Sequence, residues 1–232
     1  MATGEGFGLL TDGDESVRAL AAGLLSRVSR GQRFLLGIAG PPAAGKSTLA
    51  ARLVEALDAS GDELAAVAPM DGFHLTSATL AAAGASHRKG EPDTFDVAGF
   101  VSRLKALREA PLGSRVPWPT FDRMLDEPVP DGAVFTTQRI AVVEGNYLLL
   151  DRPGWREVRG LLDTVWYLDA VDAVLEPRLR QRHLEGGKSA AETESKIRHS
   201  DLLNARLVAG TRARADLHLR ERRGSYLIEE FR

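Results

Sequence analysis

The chain has 232 residues, 44% of them hydrophobic, a formal net charge of −2 and no cysteine. Such a length fits one α/β domain, or one that carries a substantial insertion. The balanced charge argues against wholesale binding to nucleic acid or acidic membranes, and the missing thiols exclude disulfides, thiolate metal sites and cysteine nucleophiles.

In chain order, the N-terminal MATGEGFGLLTDGDESV lacks the basic and apolar segments of a secretion signal. No apolar run approaches the ~20 residues of a membrane span, so a soluble, cytoplasmic protein is the expectation. Val17, Leu20, Ala21, Leu24, Leu25 and Val28 recur at helical spacing and predict an amphipathic helix over 15–29. RFLLGIA (33–39) is the short apolar run of a strand covered on both faces. A helix follows from Lys46 to about Ala59, ended by Gly61, and ELAAVAPM (63–70) is a second buried strand. Residues 97–109 read as helix. From 110 to 137 the rhythm breaks into VPWPTFDRMLDEPVPDGA and its flanks, which predict a long loop or small hairpin beside the sheet. RIAVVEG (139–145) and DTVWYLDA (163–170) are further strands, with a helix over 155–162 between them. Helices over 172–184 and 190–209 precede two late strands, ADLHLRE (215–221) and SYLIEE (225–230). Pro177 marks either the start of the first of those helices or a kink in it. Strands alternating with helices predict a mainly parallel sheet wound on both faces, in a single domain over 1–232.

The segment GIAGPPAAGKST fits the pattern G-x-x-x-x-G-K-S, here Gly40, Gly45, Lys46 and Ser47. In such a loop the glycines let backbone N–H groups curl round phosphates, the lysine reaches the β- and γ-phosphates, and the serine offers a magnesium ligand. A buried strand precedes the loop and a helix begins inside it, so the helix N-terminus adds its partial positive charge. Gly40, Ala43, Ala44, Gly45, Lys46, Ser47 and Thr48 are therefore the expected nucleotide-binding residues.

Two acidic strand ends face the same edge. Asp71 follows the second strand, where a carboxylate points into the crevice used by ligands and can take a proton from an attacking hydroxyl; an Asx-turn is the other reading of Asp-Gly. Glu144 follows the third, a usual position for a carboxylate that holds magnesium opposite the P-loop serine. The helix over 172–184 carries Arg178, Arg180 and Arg182, as in a mobile lid that lowers cations onto a transferring phosphoryl group. A solvated basic face is the alternative. Lys89 and Arg88, in HRKGEPDTFD, either decorate a loop or meet an anionic acceptor.

Taken together, the P-loop, MDGFHL, KGEPDTFDVAGF, PTFDR, VVEGNYLL and the arginine-rich helix resemble the phosphoribulokinase/uridine kinase group. That group also contains bacterial-type pantothenate kinases and a bacterial branch of nucleotide-kinase-like proteins and fructose transport system kinases. The likeness spans roughly residues 15–230. It implies a P-loop three-layer sandwich with an acceptor-side insertion around 110–137 and a helical lid around 176–204. It also implies ATP and Mg2+ as cofactors and a small-molecule acceptor, and it allows a homodimer. Asp71 would be the general base, Ser47 and Glu144 the metal residues, and Lys46 with Arg182 the groups that neutralise the moving phosphoryl. Asp96 would hold sugar hydroxyls and Phe121 would border the acceptor. His74, Phe95, Arg123, Tyr147, Arg178 and Asn204 would complete the substrate site. The sequence departs from the branch at Ser200 and Leu203, where an asparagine and a proline are usual, and Asp126 stands where uridine kinases have a histidine.

The implied activity is phosphoryl transfer from ATP to a hydroxyl of a nucleoside, sugar or pantothenate-like molecule. A GTPase-like switch is the alternative, with Asp151-Arg152-Pro153-Gly154 imitating a γ-phosphate sensor. No guanine-reading Asn/Thr-Lys-x-Asp occurs in the chain.

Overall fold

A computed structural model describes residues 13–29 and 31–229. The N-terminal dozen residues read above, and the last residue of the final expected strand, lie outside that range. The elements run α1 (Gly13–Leu25), β1 (Phe34–Ala39), α2 (Lys46–Leu57), β2 (Ala65–Pro69), α3 (Ser77–Ala82), α4 (Val97–Glu109), β3 (Val116–Asp122) and β4 (Glu127–Phe135). They continue with β5 (Ile140–Gly145), α5 (Arg156–Gly160), β6 (Thr164–Asp169), α6 (Asp172–Glu185), α7 (Ala190–Lys196), α8 (Leu202–Ala209), β7 (Leu217–Arg222) and β8 (Ser225–Glu229).

Six strands form one sheet in the order β2-β5-β1-β6-β7-β8, parallel except for β8, which pairs antiparallel with β7. Because side chains alternate along a strand, the inner strands feed two cores. Leu35, Ala141, Val143 and Val165 pack on one face with Phe100 and Leu104 of α4 and Val158 of α5. Leu36, Ile38, Val142 and Leu168 pack on the other with α1, α2 and α6, through Leu20, Leu49, Leu53 and Leu175. Each of these side chains larger than alanine contributes on the order of 2 kcal/mol by leaving water. The fold is thus an α/β sandwich with helices on both faces, as the alternating pattern predicts. Among the described residues no helix is long and apolar enough to cross a membrane.

The register sets the working edge. Ile38 lies opposite Glu144 on β5, and Pro69 at the end of β2 faces that same glutamate. The carboxyl ends of three neighbouring strands therefore stop level with one another, where parallel sheets open a crevice.

The proline-rich stretch resolves as the antiparallel hairpin β3–β4, with an irregular register between Trp118 and Thr120. Trp118 is fully buried, and its indole Nε1 donates to the Pro69 carbonyl at 3.0 Å. Gly72 lies so close beneath the hairpin that a Cβ there would sit 2.1 Å from the Pro119 carbonyl oxygen. Elsewhere the differences are local. The helix expected over 155–162 shortens to α5, and α3 is an addition. The single helix expected over 190–209 is interrupted by a π turn at Ile197–Asp201. Helix α6 starts at Asp172 and carries Pro177 inside it, so the proline does not mark its beginning.

Candidate active site

The loop between β1 and α2 has the shape that its glycines permit. Gly45 is left-handed (φ 100°) and caps α2, and Ala43 also has positive φ, at 62°. Lys46 is buried, and its Nζ donates to the Pro41 carbonyl at 2.9 Å and to Asn146 Oδ1 at 2.7 Å. Burial lowers the lysine's pKa to about 8, against the opposing pull of Glu144 and Asp71. Ser47 Oγ donates to Glu144 Oε1 at 3.1 Å. Burial pushes the Glu144 carboxyl up, and Asp71 adds to that shift while Lys46 and Ser47 oppose it. A buried carboxylate against a serine hydroxyl is a fitting donor pair for a hard cation.

This loop forms one wall of a cavity of about 1510 Å³ that also takes in Asp71, His74, Phe121 and Arg182. Asp71 rides on the single 3-10 turn Met70–Phe73 that ends β2. Arg123 Nη2, from the end of the hairpin, stands 4.0 Å from Asp71 Oδ2. His74 packs against Phe95 and Phe121, with ring centroids 4.1 and 4.7 Å away. Asn204, on α8, is buried at the cavity's edge, with Nδ2 3.5 Å from the Gly90 carbonyl.

The three arginines of α6 diverge. Arg178 Nη1 donates to the Ala44 carbonyl at 3.3 Å while Nη2 pairs with Glu221 at 2.7 Å. That places Arg178 against the P-loop rather than on the acceptor side. Arg182 lines the cleft and is close enough to Lys46 to disfavour its charge. Arg180 turns away to Glu194 at 2.6 Å.

Two expected substrate residues stand elsewhere. Asp96 is the N-cap of α4: its Oδ1 accepts from Gly99 N at 2.8 Å, and it is not part of the cavity wall. Capping satisfies a helix N–H that would otherwise lack a partner, and it engages one of the two carboxylate oxygens. Tyr147 is fully buried and packs edge-on to Phe95 and Trp155, with its hydroxyl donating to the Gly90 carbonyl at 2.6 Å. It supports the loop behind the site. Asp151 of the DRPG stretch pairs with Arg156 at 3.2 Å and is likewise absent from the cavity wall.

Sequence reasoning missed several lining groups. Asn146 follows Glu144 directly, so the EGN triplet carried its signal. Arg52 and Tyr226 form another wall, with the guanidinium 5.5 Å from the ring centroid. They come from α2 and β8, and only the sheet order brings them together. Lys196 donates to the Lys89 carbonyl at 2.7 Å beside the π turn. Arg88 is a loop residue paired with Glu91 and Asp93, at 2.9 and 2.6 Å.

The sequence matches the Phosphoribulokinase / Uridine kinase family over residues 35–218. A provisionally named uridine kinase of Schizosaccharomyces pombe is 34% identical over 200 residues, covering 83% of this chain and 85% of that protein. An uncharacterised Escherichia coli K12 protein is 34% identical over 195 residues, covering 83% and 80%. The crystal structure of a provisionally named fructose transport system kinase from Silicibacter sp. TM1040 matches with a TM-score of 0.79 at 40% identity, covering 87% of this chain and 98% of that one. On the strength of the P-loop, the two acidic strand ends and the extent of these matches, the chain belongs to the phosphoribulokinase/uridine kinase family.

Proposed function

We propose that this phosphotransferase moves the γ-phosphoryl group of ATP onto a hydroxyl of a small polyhydroxyl metabolite. The observation that carries the reading is the placement of Asp71 across one cleft from Lys46, Ser47 and Glu144. The unit acts as a single kinase domain, with the β3–β4 hairpin on the acceptor side and residues 176–204 as its lid.

In this mechanism the acceptor alcohol lies between Asp71 and the nucleotide. The Asp71 carboxylate takes the hydroxyl proton as the alcohol oxygen bonds to the γ-phosphorus. The bond from that phosphorus to the β–γ bridging oxygen breaks, and ADP leaves with the electron pair. Lys46 and Arg182 stabilise the charge that spreads over the phosphoryl oxygens. Arg178 holds the P-loop carbonyls and Glu221 together, so the cradle is set before the nucleotide arrives. Ser47 and Glu144 would hold a magnesium ion accompanying ATP, whose charge would further neutralise the phosphates. Among the described residues no cluster of three or more metal-ligating side chains exists, which suits an ion bound largely through the nucleotide.

Asp71→Asn tests the reading. It keeps the shape of the turn and removes the base, so kcat should fall by roughly 10²–10⁴ while ATP still stabilises the protein in a thermal shift assay. An unchanged kcat would remove Asp71 from the chemistry.

A further inference from the structure

The dipeptide Lys89-Gly90, which the chemistry above leaves unused, is bonded to four separate elements. Gly90 is left-handed (φ 99°), a state that glycine adopts without steric cost. Both of the dipeptide's carbonyls are taken. Lys196 Nζ, at the end of α7, donates to the Lys89 carbonyl at 2.7 Å, and the Tyr147 hydroxyl donates to the Gly90 carbonyl at 2.6 Å. Asn204 Nδ2, on α8, stands 3.5 Å from the same Gly90 oxygen.

The Lys89 side chain makes the connection to the hairpin. An ammonium has three N–H donors. This one meets Ser77 Oγ at the start of α3 and Asp126 Oδ2, each at 3.0 Å, and also the Asp126 carbonyl. The side chain is only 14% exposed, so these oxygens replace hydration lost on burial. With three protein oxygens around it, Lys89 is neither loose decoration nor set up to receive an acceptor anion, the two roles its sequence setting allowed. Asp126 belongs to a tight turn in which Asp122 Oδ1 accepts from Met124 N and Leu125 N, at 2.8 and 3.0 Å. The same turn carries Arg123, 4.0 Å from Asp71 Oδ2. Lys89, Phe121, Arg123, Asp126, Lys196 and Asn204 all line the one cleft.

We infer that Lys89 is a positioning residue that locks the β3–β4 turn to the helical arm. Its ammonium holds Asp126 and its carbonyl holds Lys196, so Phe121 and Arg123 keep a fixed spacing from Asn204 around the acceptor. The lock stands on these contacts alone; its effect on turnover rests on the kinase reading above. The turn bearing Asp71 is held separately, through Trp118 and Pro119 of β3. Breaking the lock should therefore weaken acceptor binding and leave the base in place.

The test applies two readouts to wild type, Lys89→Met, Asp126→Asn and the double variant. Hydrogen exchange followed by mass spectrometry needs no acceptor. Lys89→Met should speed exchange about five- to tenfold in both the turn (122–127) and the arm (196–204), the worth of one charge-assisted hydrogen bond. Faster exchange in the turn alone, or in neither segment, would overturn the lock. Kinetics then use whichever of a set of sugars, nucleosides, pantothenate and their phosphates most raises ADP release, with the product identified by mass. Lys89→Met should raise the KM of that acceptor about five- to tenfold, with kcat and the KM of ATP changed less than about twofold.

Asp126→Asn keeps a residue type that tolerates the turn's positive φ and should raise the acceptor KM about two- to threefold. The double variant should be no worse than Lys89→Met, because both changes break the same bond. Partial unfolding would instead lower kcat through loss of active protein and leave KM where it was. An unaltered acceptor KM in Lys89→Met, or effects that multiply in the double variant, would overturn the positioning role. Should Lys89→Met fail to fold, Asp126→Asn is judged by the same two readouts. If no acceptor raises ADP release, the kinase reading falls, and hydrogen exchange still decides the lock.

Discussion

Nucleotide binding to this protein should take up a proton at mildly alkaline pH. In the free site burial holds the Lys46 pKa at about 8, against an ordinary value of 10.5. The phosphates of ATP replace the lost hydration and favour the charged amine, which returns its pKa toward the ordinary value. At about pH 8.5 the free lysine is roughly one-quarter protonated and the bound one almost fully, so about 0.75 proton enters per ATP. The sign is fixed: the bound state holds more protons, so affinity weakens as pH rises. From about pH 8 to 9.5 the loss is roughly fifteenfold. Isothermal titration of magnesium-free ATP in buffers of differing ionisation enthalpy measures the uptake directly. Lys46→Ala should abolish the uptake as well as weaken binding. Zero uptake in wild type, with normal affinity, would show that the buried amine is already charged and that its desolvation has been overstated.

Four further substitutions test the placement of other residues. Arg178→Ala removes the contact to the Ala44 carbonyl and the Glu221 pair; because the pair is partly exposed, ATP affinity should fall only about five- to tenfold. Arg180→Ala, which faces Glu194, should leave that titration unchanged. Asp96→Ala should lower stability by about 1 kcal/mol through loss of the α4 cap, measured by urea unfolding, with no change in acceptor KM; a raised KM would return Asp96 to the substrate site. Gly72→Ala would force a Cβ to 2.1 Å from the Pro119 oxygen, and should cost about 3 kcal/mol. Wild-type stability in that variant would mean that the hairpin does not rest on the turn.

Much of the proposed catalytic edge was legible because its signals are local. A buried strand, a glycine loop and a helix start follow one another between residues 33 and 59, and the structure closes them around Lys46 as that order implies. Asp71 and Glu144 were found because each ends an apolar strand. Side-chain direction was harder to read. Asp96 sits in a motif that suggests a diol, yet the same Asp followed by Val-Ala-Gly is a helix cap, and backbone geometry decides between the two. Tyr147 lies next to the site in sequence, but strand-to-loop geometry turns its ring into the core. The π turn at Ile197–Asp201 changes which residues of the proposed lid face the cavity, and helical periodicity cannot announce one extra residue in a turn. Arg52 and Tyr226 meet only because β8 folds back beside β7.

The bond from Trp118 to Pro69 and the fit of Gly72 under Pro119 join the proposed base and the acceptor's frame into one mechanical piece. A substitution that tilts the β-ribbon to admit a bulkier alcohol would also tilt the turn that bears Asp71. Variants changed in the ribbon would thus alter turnover and selectivity at the same time. Change confined to the helical arm from α6 to α8 would leave the base where it stands, which makes that arm the freer place for new specificities to arise.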